Sequence, residues 1–290
     1  MNLKAAVREI GSVKAASEAL NIPRSTLRRQ LAKETGGMTR VIVIGDSHDK
    51  PGRPKDHYTW IGKYVHECDP DHVVHIGDFA SLDSLSAHEQ RGSKADREAP
   101  TFPDDLASLE DALAAYHAGC PYDAGIPHHI TFGNHEHRAW RAAESDPRLM
   151  ADAPLRIQQV FARYRWSWSD YQKWHFIRGV GFTHVPSNLM GRAVGGKNVC
   201  QTIANDATHS IVFGHTHRAE FRTAGKLGAR PSVQVLNVGS AMPEGTVESY
   251  FPETSPTGFT YGVFLLTINA VGDIIGYSFK AMKELEHEYS

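Results

Sequence analysis

VIVIGDSH, residues 41–48, is a short β-rich run that stops at a glycine and passes at once to a carboxylate and an imidazole. The pattern returns in HVVHIGD (72–78), HHITFGN (128–134) and SIVFGH (210–215). Between the first two lies a helical segment, HYTWIGKYVHECD (57–69). Between the second and third lies DDLASLEDALAAYHAG (104–119), with Asp104 or Asp105 as cap, a stripe of Leu106, Leu109, Leu113 and Tyr116, and Gly119 at its close. Strands that alternate with helices predict an α/β layered fold. In such folds functional groups gather at the carboxyl ends of strands, so the four runs aim their next residues at one region.

Residues 147–178 are aromatic and basic, and read as a helical cap or one wall of the cleft. Core tryptophans with a solvated arginine face are the plainer reading. Strand-like runs follow at VQVLNVGS (233–240) and YGVFLLTI (261–268), then a charged helical end, KELEHEY (283–289).

The chain has 290 residues, 41% of them hydrophobic and 22% charged, the balance of a folded globular protein. Its net charge of −2 offers no overall attraction for nucleic acid or an anionic membrane. That average conceals an asymmetry. Residues 1–36 hold seven basic side chains against three acidic ones, a net of +4, and the remainder carries −6. Cys68, Cys120 and Cys200 are scattered and odd in number, so they read as small apolar residues in a reducing compartment. No apolar leader or membrane span is evident, and the expected location is cytoplasmic.

The chemistry-bearing candidates at the strand ends are Asp46, His48, Asp78, Asn134, His135, His184, His215 and His217. Each alone is more often a turn residue or a satisfied structural histidine, in a chain with 17 histidines. Together they form the oxygen and imidazole donor set that borderline divalent metals favour. Two carboxylates, one amide and four or five imidazoles exceed what one ion needs and suffice for two. Two ions about 3.5–4 Å apart suit hydrolysis of phosphate esters.

The blocks GDSH, GDF, GNHE, FTHV and GHTH, in this order, resemble the calcineurin-like metallophosphoesterase superfamily over residues 40 to about 245. LNVGS (236–240) is similar to that family's closing strand and turn. The resemblance implies a layered β-sandwich flanked by helices. It implies that Asp46, His48 and His217 hold one divalent ion, that Asn134, His184 and His215 hold the other, and that Asp78 bridges them. Manganese is the first expectation, and the ligands suit iron, nickel or zinc as well. An attacking hydroxide would lie between the ions, with Asn134 and His135 facing the scissile phosphate and His135 giving a proton to the leaving alkoxide. The strand-end glycines are expected to supply backbone freedom. Glu136 is expected to orient a neighbouring histidine, His137 to be a bystander, and Arg138 to bind substrate phosphate or to form a salt bridge at a helix start. GDFASLDSL lacks the arginine of the GDxVDRG block of phosphoprotein phosphatases, which weakens a protein-phosphatase reading.

The basic segment reads as three short helices. Ser12 caps VKAASEAL, Asn21 makes the turn, and Pro23 opens RSTLRRQLAK. It resembles a helix-turn-helix, which implies DNA contact by Arg24, Ser25, Thr26, Arg28 and Arg29. A small bundle used for packing or oligomerisation is the alternative. The expected organisation is therefore a helical module at 1–36, a linker at 37–39 and a metallophosphoesterase domain at 40–290. The expected substrate is a phosphate ester, nucleic acid among them. The alternatives are a phosphomonoesterase, a cyclic-nucleotide phosphodiesterase, or a DNA-binding regulator whose metal site is structural.

Overall fold

The computed structural model describes residues 7, 10, 13–22, 24, 26, 27, 30, 31, 37–87, 97, 99–228, 231–248 and 257–290. In chain order its elements are α1 (Val13–Leu20), β1 (Thr39–Ile44), α2 (Asp56–Cys68), β2 (His72–His75), α3 (Phe102–Gly119), β3 (His128–Thr131), α4 (Arg138–Ser145), α5 (Ala153–Arg163) and β4 (Trp166–Ser169). There follow β5 (His175–Ile177), β6 (Val180–Phe182), α6 (Val199–Asp206), β7 (Ile211–Phe213), β8 (Ala219–Gly225), β9 (Ser232–Val238), β10 (Gly262–Ile268), β11 (Ile274–Ala281) and α7 (Met282–Tyr289).

All four glycine-ended runs are strands, but they divide between two sheets. One sheet has the order β11-β10-β1-β2-β3-β4, with β1 to β4 parallel and β10 antiparallel to β1. The other has the order β5-β6-β7-β9-β8, in which β7 runs parallel to β6 and β9. Because strand side chains alternate in direction, β1 feeds two cores. Val41 and Val43 join Val180, Phe182, Val212, Leu236 and Val238 between the sheets, whereas Ile42 and Ile44 pack with α2, α3 and α5. A third cluster seats α6 on the outer face of the second sheet. The result is a β-sandwich flanked by helices. Burying each of these valines and isoleucines contributes about 1.5–3 kcal/mol, and a carboxylate at Val43 would break both its transfer term and its packing.

Three local expectations change. The cap of α3 is Thr101, whose side chain accepts the Asp104 N–H while Asp104 accepts the Thr101 N–H; Asp104 is the third residue of a capping box and Asp105 is buried against the Ser84 N–H. Residues 147–178 supply α5 as well as β4 and β5, and Trp166 is core, with its indole N–H donated to His117 Nε2. The strand β11 was not anticipated. It lies at a sheet edge with Ile275, Tyr277 and Phe279 exposed.

In the basic segment Asn21 does adopt a left-handed conformation after α1, and Ala16 and Leu27 are buried. Arg24 is paired with Asp69, at the end of α2, and so is engaged by the body of the protein. Thr26 is half-buried, and Ser25, Arg28 and Arg29 lie outside the described residues.

Candidate metal centre

The first sheet delivers Asp46 after β1, Asp78 after β2 and Asn134 after β3. The second delivers His184 after β6, and His215 and His217 after β7. His48, two residues after Asp46, and Asp78, His215 and His217 have positive φ, between 45° and 72°. None is a glycine, so each holds a conformation that costs of order 1–3 kcal/mol and must be fixed by its surroundings. The strain therefore sits on the ligand candidates themselves. Of the preceding glycines Gly77 supplies the expected backbone freedom, with φ 97°, whereas Gly133 and Gly214 serve for space. A Cβ on Gly133 would come 2.1 Å from Asp78 Oδ1, and one on Gly214 would come 2.4 Å from Asp46 Oδ1.

The side chains converge into two adjoining groups, Asp46–His48–His217 and Asp78–His184–His215, with His48, Asp78 and His135 forming a third across them, each with its donor atoms within 4.8 Å of one another. His48 Nε2 lies 3.0 Å from His217 Nε2, and His217 Nε2 lies 3.2 Å from Asp46 Oδ2. His184 Nε2 lies 3.0 Å from Asn134 Oδ1, 3.2 Å from His215 Nδ1 and 3.3 Å from Asp78 Oδ2. Asp78 Oδ2 is also 4.0 Å from His48 Nε2 and from His135 Nε2, so it stands between the groups. Donors about 2.1 Å from a divalent ion lie about 3.0–3.4 Å from one another, the spacing found here. Asp46 Oδ2 is wholly buried, and His217 is its nearest polar partner among the described residues.

Electrostatics make the same demand. Asp46 and Asp78 are buried with histidines as their only ion-pair partners among the described residues. Burial would raise Asp78, but the charge of His184 and then of His135 holds it well below the usual carboxylate range. Asp46 is likewise lowered, with burial opposed by the charge of His184 and then by His217 beside it. Burial would lower His184, yet Asp78 and Asp46 lift it to about 9. Two buried carboxylates side by side call for positive charge, which a cation between them would supply. The residues present fit a pair of divalent ions.

The surrounding contacts fix orientation. His184 Nδ1 meets the Ile76 carbonyl at 2.9 Å, which turns Nε2 to the centre. The closing LNVGS block holds the first loop, since Ser240 Oγ and the Ala241 N–H both donate to the Asp46 carbonyl, and Asn237 Nδ2 donates to Thr216 Oγ1. Glu136 was expected to orient a histidine. Its carboxylate instead accepts four backbone N–H groups, those of Asp78 and Gly133 on Oε2 and of Phe79 and Ala80 on Oε1, and so ties the second block to the third.

His135 lies just outside the 3.0–3.3 Å contacts. Its N–H donates to Asp78 Oδ1 at 2.9 Å and its Nδ1 meets the Ser81 carbonyl at 2.8 Å, leaving Nε2 toward Asp78 and His48. Arg138 NH1 donates to the Ser81 and Leu82 carbonyls and to Asp83, an internal strap from the start of α4. His137 is more than a bystander in position, for it stacks on Tyr171, whose ring lies 6.4 Å from that of His184. Tyr171 and Phe259, the latter 4.7 Å from the His217 ring, carry no motif that the sequence could flag.

The profile of the calcineurin-like phosphoesterase family matches residues 39–219, a span that contains every ligand candidate but ends before LNVGS. No curated protein sequence matches the chain. Similar solved structures include Vps29 of Entamoeba histolytica complexed with Zn²⁺, at 15% identity and TM-score 0.35, with 80% of this chain and 87% of that one covered. Another is a predicted phosphoesterase of Streptococcus pneumoniae TIGR4, at 11% identity and TM-score 0.31, with 84% and 98% covered. Both are remote. With the family profile spanning most of the sandwich and all of the Asp/His groups, the chain belongs to the calcineurin-like phosphoesterase family.

Proposed function

We propose that this protein is a dinuclear metal-dependent phosphoesterase that hydrolyses phosphate diesters, those of nucleic acid included. The observation that carries the reading is the position of Asp78 Oδ2 between two Asp/His groups whose donors have metal-ligand spacing. Asp46, His48 and His217 would hold one ion, Asn134, His184 and His215 the other, and Asp78 both. When bound, such a pair supplies an activated water and charge neutralisation at the phosphate.

The chain's own groups do the rest. His135 Nε2 faces the centre while Nδ1 stays on the Ser81 carbonyl, so Nε2 is the atom at which the ring exchanges a proton. As water attacks phosphorus the ester P–O bond breaks, and the departing alkoxide takes a proton from His135 in its imidazolium form. Burial lowers His135, and the charge of Asp78 works against that, so a developing anion beside it favours the charged ring. Asn134, half-exposed at the end of β3, is placed to orient a phosphate oxygen through its amide. Arg138 positions the Ser81–Asp83 loop, and with it the partner of His135.

The basic segment enters this reading as a DNA-contacting module in narrower form, because Arg24 is engaged by Asp69. Replacing Arg28 and Arg29 by alanine should weaken duplex binding by the full chain at low salt. Unchanged affinity would remove that role.

Turnover of bis(p-nitrophenyl) phosphate with Mn²⁺, Fe²⁺, Ni²⁺ or Zn²⁺ added tests the catalytic reading. Two bound ions per chain and a rate abolished by chelation are expected. Bound metal with no rate for any ion would leave only a structural site.

A further inference from the structure

Beside the GHTH block lies a cavity of about 340 Å³, lined by Lys197, His215, His217, Arg218 and Phe259 among others. That volume is within the range of small-ligand sites. Two of its lining residues are cationic and none of the described ones is acidic. Lys197 is exposed just past Gly195–Gly196 and has no ion-pair partner among the described residues. Arg218 is also exposed, with Nε held by the Thr257 carbonyl at 2.9 Å and no carboxylate paired to it there. Phe259 stands edge-on to His217, with ring centroids 4.7 Å apart, so the aromatic wall begins where the metal ligands end. The opposite side of the centre differs. There Tyr171 stacks on His137, and the surrounding charges are mixed, with Arg141 against Glu144 and Asp170. An anionic group continuing from the scissile ester is therefore drawn to the Phe259 side.

We infer that this cavity binds a nucleoside phosphate adjoining the scissile ester, Lys197 and Arg218 holding its phosphate and Phe259 stacking on its base. The inference rests on the phosphoesterase reading and names its substrate class. Two cations that line one cavity with His215 and His217, without an ion-pair partner among the described residues, are of no use to a small neutral leaving group, whereas they neutralise a second phosphate. Base stacking on an aromatic ring is sequence-tolerant, since every base has a π-face.

The test is binding of 3′-fluorescein-labelled (dT)₆ to the full chain by fluorescence anisotropy, with chelator present so that nothing is cleaved, and with salt varied. The double substitution Lys197→Ala, Arg218→Ala is expected to weaken binding at least tenfold and to flatten the slope of log Kd against log salt by about 0.7 for each phosphate no longer neutralised. Phe259→Leu is expected to weaken (dT)₆ at least fivefold more than it weakens competing tripolyphosphate, and Phe259→Tyr to restore it. Thermal melts accompany each variant to show that it is folded. Unlabelled TpT and (dT)₆ as competitors distinguish the source. Equal potency assigns a free dinucleotide and greater potency of the hexamer assigns a strand, and both carry the same chemistry. Unchanged affinity and slope in the double variant would overturn the inference, as would a Phe259→Leu effect equal on (dT)₆ and tripolyphosphate. If bis(p-nitrophenyl) phosphate is never turned over while (dT)₆ binding follows these variants, the catalytic reading fails and the site stands.

Discussion

Glu136→Gln separates a loop clamp from a histidine-orienting carboxylate. The native side chain is buried and accepts N–H groups from Asp78 at 2.9 Å, Gly133 at 2.8 Å, Phe79 at 2.8 Å and Ala80 at 3.2 Å. Burial, then the neighbouring charge of Asp78, pushes its carboxyl up to about 7, against the pull of the Gly133 and Ala80 amides. Glutamine has nearly the same shape but only one acceptor oxygen. Whichever way the amide turns, its NH₂ faces two backbone donors. Two buried N–H groups are then unsatisfied at about 1–3 kcal/mol each, so a loss of about 3 kcal/mol or more is expected. For a chain of this size that lowers Tm by about 5 °C. Differential scanning calorimetry at pH 8, where the native carboxylate is ionised, measures it. A carboxylate that merely oriented one histidine would tolerate glutamine, whose carbonyl accepts as well. A Tm within about 2 °C of the native protein would refute the clamp.

Asp78→Asn should reduce bound metal below two ions per chain and bis(p-nitrophenyl) phosphate turnover by at least about a hundredfold. Metal analysis that still finds two ions would refute the shared position of Oδ2. His135→Ala should keep both ions while lowering kcat by about 10²–10⁴-fold, the range for loss of a general acid. Metal loss in that variant would show His135 to be a ligand. Acid should destabilise the fold through its buried histidines, with the raised carboxyl of Glu136 working in the opposite direction. Burial pushes both His75 and His128 down to about 3 from an ordinary 6.5, so below pH 6.5 the unfolded chain takes up protons that the fold refuses. Stability is then lost at about 1.4 kcal/mol per pH unit for each ring, about 4 kcal/mol for the two by pH 5. Urea midpoints that match at pH 7 and pH 5 would contradict it.

Much of the site was legible because its chemistry is local. An aliphatic run, a glycine and a metal-capable residue are neighbours in the chain, and Asp46, Asp78, Asn134 and His215 were found that way. Other features escaped for want of such a signal. Glycine and serine interrupt β11, and its Ile275, Tyr277 and Phe279 face solvent at a sheet edge. Thr101 does not stand out in the sequence as the cap of α3, because the acidic pair that follows it also reads as a helix start. Tyr171 and Phe259 reach the centre from loops with no motif around them.

The sequence by itself determined the ligand types, their order and the strands that carry them, because backbone preference and donor chemistry belong to each short block. Only the tertiary structure decided which atoms meet. Asp46, Asp78 and Asn134 end strands of one sheet, and His184, His215 and His217 follow strands of the other. The packing of Val41 and Val43 against Val212, Leu236 and Val238 brings those strand ends to one rim of the sandwich. The division of His215 and His217 between two groups, the left-handed backbone at four ligand candidates and the grip of Glu136 on two loops depend on sheet register and burial, which no stretch of sequence states on its own.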